Sequence, residues 1–278
     1  MSKCYKYISD KSICLFYTER VKFAIFCKMW YNLRMWDAIK RDRSDGVKSK
    51  AMNTVNASAK LDERMKDGKR RGERLLLHSC CAPCSSYCLM YLRFFYRITV
   101  YYYNPNIGCE AEYEHRASEQ IRLIAELNKD RFLKPDGTKS ETEAYEIDVV
   151  SGDYEPEEYL RRVKGLEDCP ERGARCSICF DMRLRKTAEY AKKTGIGLFA
   201  TTLTLSPLKN AGLINEIGLK IAEETGVEYL ESDFKKKNGY LYSIRLSEQF
   251  GLYRQDFCGC DFSKRKTQSG AKDTKSTE

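Results

Sequence analysis

Short apolar segments alternate with longer amphipathic segments from Glu73 onward, and this alternation constrains the fold more than any other feature. Five short segments have the length and the leucine-rich, β-branched or aromatic composition of buried strands, namely residues 75–79, 98–103, 145–150, 198–202 and 228–230. Helical periodicity marks the segments between them, at about residues 87–95, 110–128, 155–167, 176–194 and 211–226. Strands that alternate with helices imply a parallel sheet covered by helices on both faces, so the sequence predicts an α/β fold.

The longest predicted helix, residues 176–194, has an apolar stripe that includes Phe180, Leu184 and Ala188. Its basic residues, Arg183 and Arg185 among them, lie off this stripe. We therefore expect these basic side chains to face away from the protein core.

Polar and sulfur-bearing residues follow three of the predicted strands at the point where each strand ends. Cys80, Cys81 and Cys84 follow the first strand, the Asn-Pro-Asn turn of residues 104–106 follows the second, and residues 202–204 follow the fourth. The carboxyl ends of parallel strands meet at one edge of a sheet, which is where such folds bind ligands. The sequence therefore predicts a functional site at this edge.

Eight of the 13 cysteines form three tight groups: Cys80, Cys81 and Cys84; Cys169, Cys176 and Cys179; and Cys258 with Cys260. Thiolates at such spacings hold iron or zinc, or exchange electrons as a dithiol, and the chain has only two histidines for imidazole chemistry. We expect metal or redox use of these groups rather than a role as core side chains. For the five isolated cysteines a buried apolar role is expected instead; they are Cys4, Cys14, Cys27, Cys88 and Cys109.

The spacing of four cysteines suits a metal centre. Cys176 and Cys179 are three residues apart on a predicted helix, which puts their Cβ atoms about 5–6 Å apart on one side. The adjacent Cys80 and Cys81 supply two more sulfurs, and four thiolates satisfy either a [4Fe–4S] cluster or a structural zinc. Spacing alone does not decide between the metals, but a single zinc leaves four grouped cysteines unused, which favours iron–sulfur.

The remaining grouped cysteines have separate interpretations. A disulfide across the single residue between Cys258 and Cys260 is strained and easily reduced, which favours a redox-active pair, with two more metal ligands as the alternative. Cys84 and Cys169 are second-tier candidates, either of which could join another metal site near the cluster, with Asp181 as a candidate oxygen ligand.

Charge separates the N-terminal segment from the rest of the chain. Residues 1–72 carry 18 Lys and Arg against 8 Asp and Glu, and the remaining residues carry 31 against 32, so the net charge of +9 arises in the segment before the cysteine groups. Residues 23–36 favour one short helix, whereas residues 40–74 lack a hydrophobic period and cannot bury enough surface to offset the entropy of ordering. We expect residues 1–72 to be a mostly disordered basic extension, with contact to nucleic acid as the alternative. Met52 and Met65 are alternative translation starts. A disordered tail is expected at residues 264–278.

The N-terminus has no uninterrupted apolar core of a signal peptide, and no segment has the roughly 18 apolar residues of a membrane span. We therefore expect a cytoplasmic protein with no membrane association. In that compartment cysteines are reduced, metal-bound or catalytic.

Five motifs occur in order and carry a family resemblance: residues 78–84 (HSCCAPC), 103–107 (YNPNI), 175–180 (RCSICF), 201–209 (TTLTLSPLK) and 251–260 (GLYRQDFCGC). Over residues 73–263 the chain resembles the QueH-type epoxyqueuosine reductases. The resemblance implies a Rossmann-like α/β domain related to the PP-loop ATPases of the HUP group. It further implies the reduction of epoxyqueuosine to queuosine at the wobble position of tRNA, which is the last step of queuosine biosynthesis, with a [4Fe–4S] cluster and without cobalamin.

The resemblance also implies roles for individual residues. Cys80, Cys81, Cys176 and Cys179 correspond to the cluster ligands. The pair Cys258 and Cys260 corresponds to a redox-active pair or to ligands of one additional iron. The chain departs from the pattern at Cys84, where some members have aspartate, and at Tyr242, where arginine is expected.

The reductive removal of oxygen needs a proton donor and an external electron donor, and the sequence offers Tyr253 and Asp256, beside the Cys258 pair, as proton donors. Arg254 and Lys209 are candidates to bind anticodon-loop phosphates. A zinc-binding nucleic-acid module without redox catalysis is the alternative function. An ATP-activating PP-loop-like enzyme is disfavoured, because no run of glycines and serines follows the first strand.

Overall fold

The computed structural model describes residues 57–264. The predictions for the short helix at 23–36 and for the isolated Cys4, Cys14 and Cys27 lie outside the described residues, as does the tail beyond residue 264. The division of the chain into extension, reductase domain and tail stays a prediction.

The sheet has five parallel strands in the order β3-β2-β1-β4-β5. The central strand is β1, in which Leu77 lies opposite Val100 of β2 and Ala200 of β4. All five predicted strands are present and parallel. Their bounds are β1 Glu73–Ser79, β2 Tyr96–Tyr102, β3 Asp148–Ser151, β4 Leu198–Thr201 and β5 Glu228–Tyr229.

Within residues 57–264 there are seven α-helices, of which five were predicted with ends that differ by up to five residues. None of these helices has the length and apolar character that crossing a bilayer demands. The helices are α1 Ala57–Asp67, α2 Ala82–Leu92, α3 Glu110–Lys129, α4 Pro156–Arg162, α5 Ala174–Thr194, α6 Ala211–Thr225 and α7 Gly239–Gln249, with short 3-10 turns at Thr202–Leu205 and Asp261–Ser263.

Both faces of the sheet are covered, as predicted. Successive side chains of a strand point to opposite faces, and in β1 Leu75 and Leu77 enter the core that contains residues of α2, α3 and α7, whereas Leu76 enters the core that contains residues of α5 and α6. All three leucines are fully buried. A continuous apolar strand is therefore the expected centre of this three-layer structure.

Helix α1 corrects one expectation from composition. Residues 57–67 lie inside the segment 40–74, for which we expected no regular structure, yet Leu61 and Met65 are buried in the core beneath α2. The Tyr91 hydroxyl donates a hydrogen bond to Asp62, and Arg64 pairs with Glu228. The composition argument failed because two apolar side chains four residues apart are enough when an existing core receives them.

The order of the strands creates a crevice at the carboxyl edge. From β1 the chain builds outward through β2 and β3, and it then crosses to the other side of β1 for β4 and β5. Ligands bind at such a switch point, here between the carboxyl ends of β1 and β4. The Cys80 amide donates to Thr202 Oγ1 at 3.3 Å, and Asn104 Nδ2 donates to the Ser79 carbonyl at 2.9 Å. The three segments predicted to converge at this edge are in contact.

Candidate metal and redox site

The first cysteine group is a compact thiol triad. Cys81 is the N-cap of α2, Cys80 precedes it in the turn after β1, and Cys84 lies in the first turn of the helix. The sulfurs of Cys80 and Cys81 are 3.8 Å apart, and all three sulfurs lie within 4.8 Å of one another. Two sulfurs bound to one tetrahedral metal at about 2.3 Å are about 3.8 Å apart. The triad therefore fits metal coordination.

The protonation of the triad is uneven. Hydrogen bonds from Cys81 and Cys84 lower the pKa of the Cys80 thiol well below its usual value, and the charge of Lys209 and a hydrogen bond from Thr202 add to this effect. The same hydrogen bond to Cys80 raises the pKa of Cys81 to about 11. Within the triad, negative charge is therefore favoured on Cys80 over Cys81 and Cys84, and a metal ion that binds there displaces the remaining thiol protons.

Four further cysteines line one cavity of about 510 Å³, part of which is open to solvent. Cys176 and Cys179 enter it from the first turns of α5, and Cys258 and Cys260 enter it from the C-terminal segment. The Arg172 amide donates to the Cys176 sulfur at 3.3 Å. Burial raises the pKa of Cys179 to about 12, so this thiol is protonated until a metal or a strong base takes the proton.

The predicted ligand set is divided between the triad and this cavity. Cys80 and Cys81 belong to the triad, whereas Cys176 and Cys179 line the cavity together with Cys258 and Cys260. Lys209 also lines the cavity; burial disfavours its charge, but negative charge on the cysteine sulfurs of both groups, Cys258 and Cys80 foremost, outweighs this effect and raises the pKa of Lys209. One ammonium thus acts on sulfurs of both groups. A shared [4Fe–4S] ligand set stays a prediction.

The pair Cys258 and Cys260 consists of free thiols. None of the ten cysteines between residues 57 and 264 forms a disulfide. Gly259 between them has φ +93° and lies against Ile107, and the Asn106 side-chain amide donates to the Cys258 carbonyl at 3.1 Å. The backbone of this pair is therefore fixed from the turn that follows β2.

A buried tyrosine that sequence reasoning missed lies beside the pair. The Tyr159 hydroxyl and the Cys260 sulfur are 3.2 Å apart, and Tyr159 lines the cysteine cavity from helix α4. The hydroxyl of the predicted donor Tyr253 instead donates to Glu112 at 3.2 Å, and neither Tyr253 nor Asp256 lines this cavity. No local pattern distinguishes Tyr159, because its partner is 101 residues away in the chain.

The other predicted residues take different places. Asp181 pairs with Arg185 at 3.0 Å, Arg254 donates to Ser247 at 3.0 Å, and the carbonyl of Cys169, not its sulfur, accepts a hydrogen bond from Arg175. Two expectations for isolated cysteines had opposite outcomes: Cys88 is buried in the core as predicted, whereas Cys109 is exposed at the start of α3.

Arg183 was expected to face away from the core, and this expectation is wrong. Its side chain is only 1% exposed, because it lies on the same face of α5 as Cys179 and Cys176, four and seven residues earlier. Its guanidinium donates to the side-chain oxygen of Asn106. Nearby, burial, followed by the charge of Arg183, lowers the pKa of His78 to about 3, so this imidazole is neutral.

Comparisons with known proteins identify relatives of this chain. The family model described as epoxyqueuosine reductase QueH matches residues 75–266. A protein of Streptococcus pyogenes serotype M1 named epoxyqueuosine reductase QueH is 44% identical over 191 residues, covering 69% of this chain and 70% of its own length. Proteins with the same name from Staphylococcus epidermidis and Thermotoga maritima are 39% and 34% identical, covering 76% and 68% of this chain and 86% and 89% of their own lengths.

Proposed function

This chain belongs to the QueH family of epoxyqueuosine reductases, and from that membership we propose that it reduces epoxyqueuosine to queuosine at the wobble position of tRNA. The reaction converts an epoxide to an alkene; it consumes two electrons and two protons and releases the oxygen as water. The observation that carries the proposal is the sulfur-rich edge of the sheet, where seven cysteines lie in the triad and the adjoining cavity. A cytoplasmic location is proposed together with the tRNA substrate.

The residues present fit an iron–sulfur group. Soft thiolate donors suit iron, and the triad offers one sulfur on which negative charge is favoured and two thiols that a metal deprotonates. We assign Cys80, Cys81, Cys176 and Cys179 to a [4Fe–4S] cluster, with Cys84 and Cys169 as second-tier ligands of one additional iron. When bound, the group supplies single electrons, and an iron ion supplies a Lewis acid for the epoxide oxygen.

The remaining residues of the cavity have roles in proton and electron transfer. Cys258 and Cys260 form the dithiol that gives up two electrons, and an external reductant restores it. Tyr159 is the better-placed proton donor for the departing oxygen, because it lines the cavity beside Cys260, whereas the predicted donors Tyr253 and Asp256 do not line it. Lys209 supplies positive charge at the same cavity and thereby favours an anionic RNA backbone there.

The test is an anaerobic assay on tRNA that carries epoxyqueuosine, with nucleosides analysed by mass spectrometry and with iron and sulfide measured on the same preparation. Cys176→Ala is expected to lose iron and to lower conversion at least tenfold. Cys109→Ala is the matched control, because Cys109 is exposed and does not line the cavity. Full turnover by Cys176→Ala means that its assignment as a cluster ligand is wrong.

A zinc-binding module without redox chemistry is the second candidate, because the sulfur separation in the triad also fits one tetrahedral metal. It predicts stoichiometric zinc, no iron and no conversion of the tRNA. Iron and acid-labile sulfide in anaerobically purified, active protein exclude it.

A further inference from the structure

Arg183 is a buried charge with too few partners. Its side chain is 1% exposed, and Nη2 donates to Asn106, but Nε and Nη1 have no hydrogen-bond partner among residues 57–264. No carboxylate in this part of the chain forms an ion pair with it. A buried guanidinium without a counter-ion is strongly unfavourable. Arg183 therefore needs a negatively charged partner, and no carboxylate among the described residues provides one.

Several cysteines act on Arg183, together with Asn106, Tyr159 and Lys209. The arginine lies four residues after Cys179 and seven after Cys176 on α5, and helical side chains lean toward the N-terminus, which directs it toward these cysteines. Through Asn106 it is linked to the backbone carbonyl of Cys258. Burial disfavours the charge of Arg183, whereas negative charge on the sulfurs of Cys179, Cys258 and Cys80, which metal binding produces by displacing their protons, raises its pKa.

Negatively charged partners other than a metal group are disfavoured for Arg183. His78 is neutral and therefore supplies no negative charge. An RNA phosphate or a substrate oxygen is also disfavoured, because Arg183 does not line the cavity through which such groups enter. A metal group ligated by several thiolates carries net negative charge and has sulfurs that accept hydrogen bonds, so it satisfies both the charge and the free N–H groups.

We propose that Arg183 is the internal counter-cation of the metal-loaded sulfur site, donating hydrogen bonds from its two unpartnered nitrogens, Nε and Nη1, to sulfur and raising the reduction potential of the bound group. The inference rests on the iron–sulfur assignment of the proposed function. Arg183 is a positioning residue, because it acts through the sulfurs and not on the substrate. Net charge and hydrogen bonds to sulfur are two of the properties by which a protein sets such potentials.

The test compares anaerobically purified wild-type protein with Arg183→Met, Arg183→Lys and the control Arg185→Met. The control removes the same charge from the same helix, but at a surface position where Arg185 pairs with Asp181 and Glu224. Arg183→Met is expected to make one-electron reduction at least tenfold less favourable, a shift of at least 59 mV in midpoint potential measured by spectroelectrochemistry. Arg183→Lys retains the charge and should lie between Arg183→Met and wild type.

Stability of the metal-free protein distinguishes this role from ordinary packing. Removing a charge that lacks its counter-ion should leave the melting temperature of the apoprotein unchanged or higher, even if Arg183→Met fails to load iron. The inference is overturned if Arg183→Met lowers the melting temperature of the apoprotein further than Arg185→Met does. It is also overturned if the two variants have equal midpoint potentials. If wild-type protein holds no iron, the proposed metal function fails instead.

Discussion

Gly259 offers the sharpest test of how the chain holds its paired cysteines. The residue has φ +93°, and a Cβ atom built on it would lie 2.7 Å from the Cγ1 atom of Ile107 and 3.1 Å from Arg116. In Gly259→Ala, the positive φ angle costs an L-residue about 1–2 kcal/mol. The overlap with Ile107 adds about 1–3 kcal/mol of overpacking, so the free energy of unfolding should fall by about 2–5 kcal/mol.

A second glycine separates the two contributions. Gly137 has φ +86°, but a Cβ atom there meets nothing within 4 Å, so Gly137→Ala should show the backbone cost alone, about 1–2 kcal/mol. The two variants should therefore differ by about 1–3 kcal/mol in urea unfolding of the apoprotein, followed by circular dichroism. For a domain of this size each kcal/mol corresponds to about 2–4 °C in melting temperature. Equal losses in both variants would refute the packing that we assign around Cys258 and Cys260.

Two further predictions concern buried polar groups of the site. Tyr159→Phe removes a hydrogen bond to Cys260 and should lower the free energy of unfolding of the apoprotein by only about 0.5–1.5 kcal/mol. Loss of the proton donor should slow the conversion of epoxyqueuosine about a hundredfold or more. Unchanged turnover, measured by mass spectrometry, means that Tyr253 or Asp256 is the proton donor instead. His78 has its pKa lowered by burial from 6.5 to about 3, so below pH 6.5 the unfolded chain binds a proton that the folded protein does not. Apoprotein stability should therefore be retained above pH 6.5 and decline toward pH 3 by up to about 1.4 kcal/mol per unit. Urea titrations of wild type and His78→Gln at several pH values measure this, and identical slopes contradict it.

The positions of the strands along the chain and their parallel arrangement could be predicted because β1 is buried on both faces. A strand in that position must be apolar at every residue, and Leu75–Leu77 show this directly in the sequence. The edge at which the site forms was also predictable, since parallel strands place their carboxyl ends together. Local sequence was therefore sufficient to locate Cys80, Cys81 and Cys84 at the carboxyl edge of the sheet.

Long-range packing could not be predicted in the same way. Helix α7 was not predicted from the sequence; its N-cap is Asn238, which has φ +61°. Tyr242 in its first turn stacks on Tyr87 of α2 at 5.9 Å, so the side chain found in place of the expected arginine packs against protein. Its neighbour α2 was itself predicted to begin five residues too late, and this helix pair depends on contacts between distant segments.

The net charge of the sequence does not describe the charge at the cavity, again because the fold brings distant residues together. Residues 73–278 have a net charge of −1, which alone indicates no attraction to nucleic acid. The fold nevertheless gathers Lys209, Arg172 and Arg175 around the cysteine cavity and buries Arg183 behind it. Electric fields in a partly buried cleft are screened less than those at an exposed surface. The potential at the cavity is therefore set by these nearby cations rather than by the net charge of residues 73–278. In the function that we propose, positive charge at this edge serves two partners, the anionic sulfur site from within and an RNA backbone from outside.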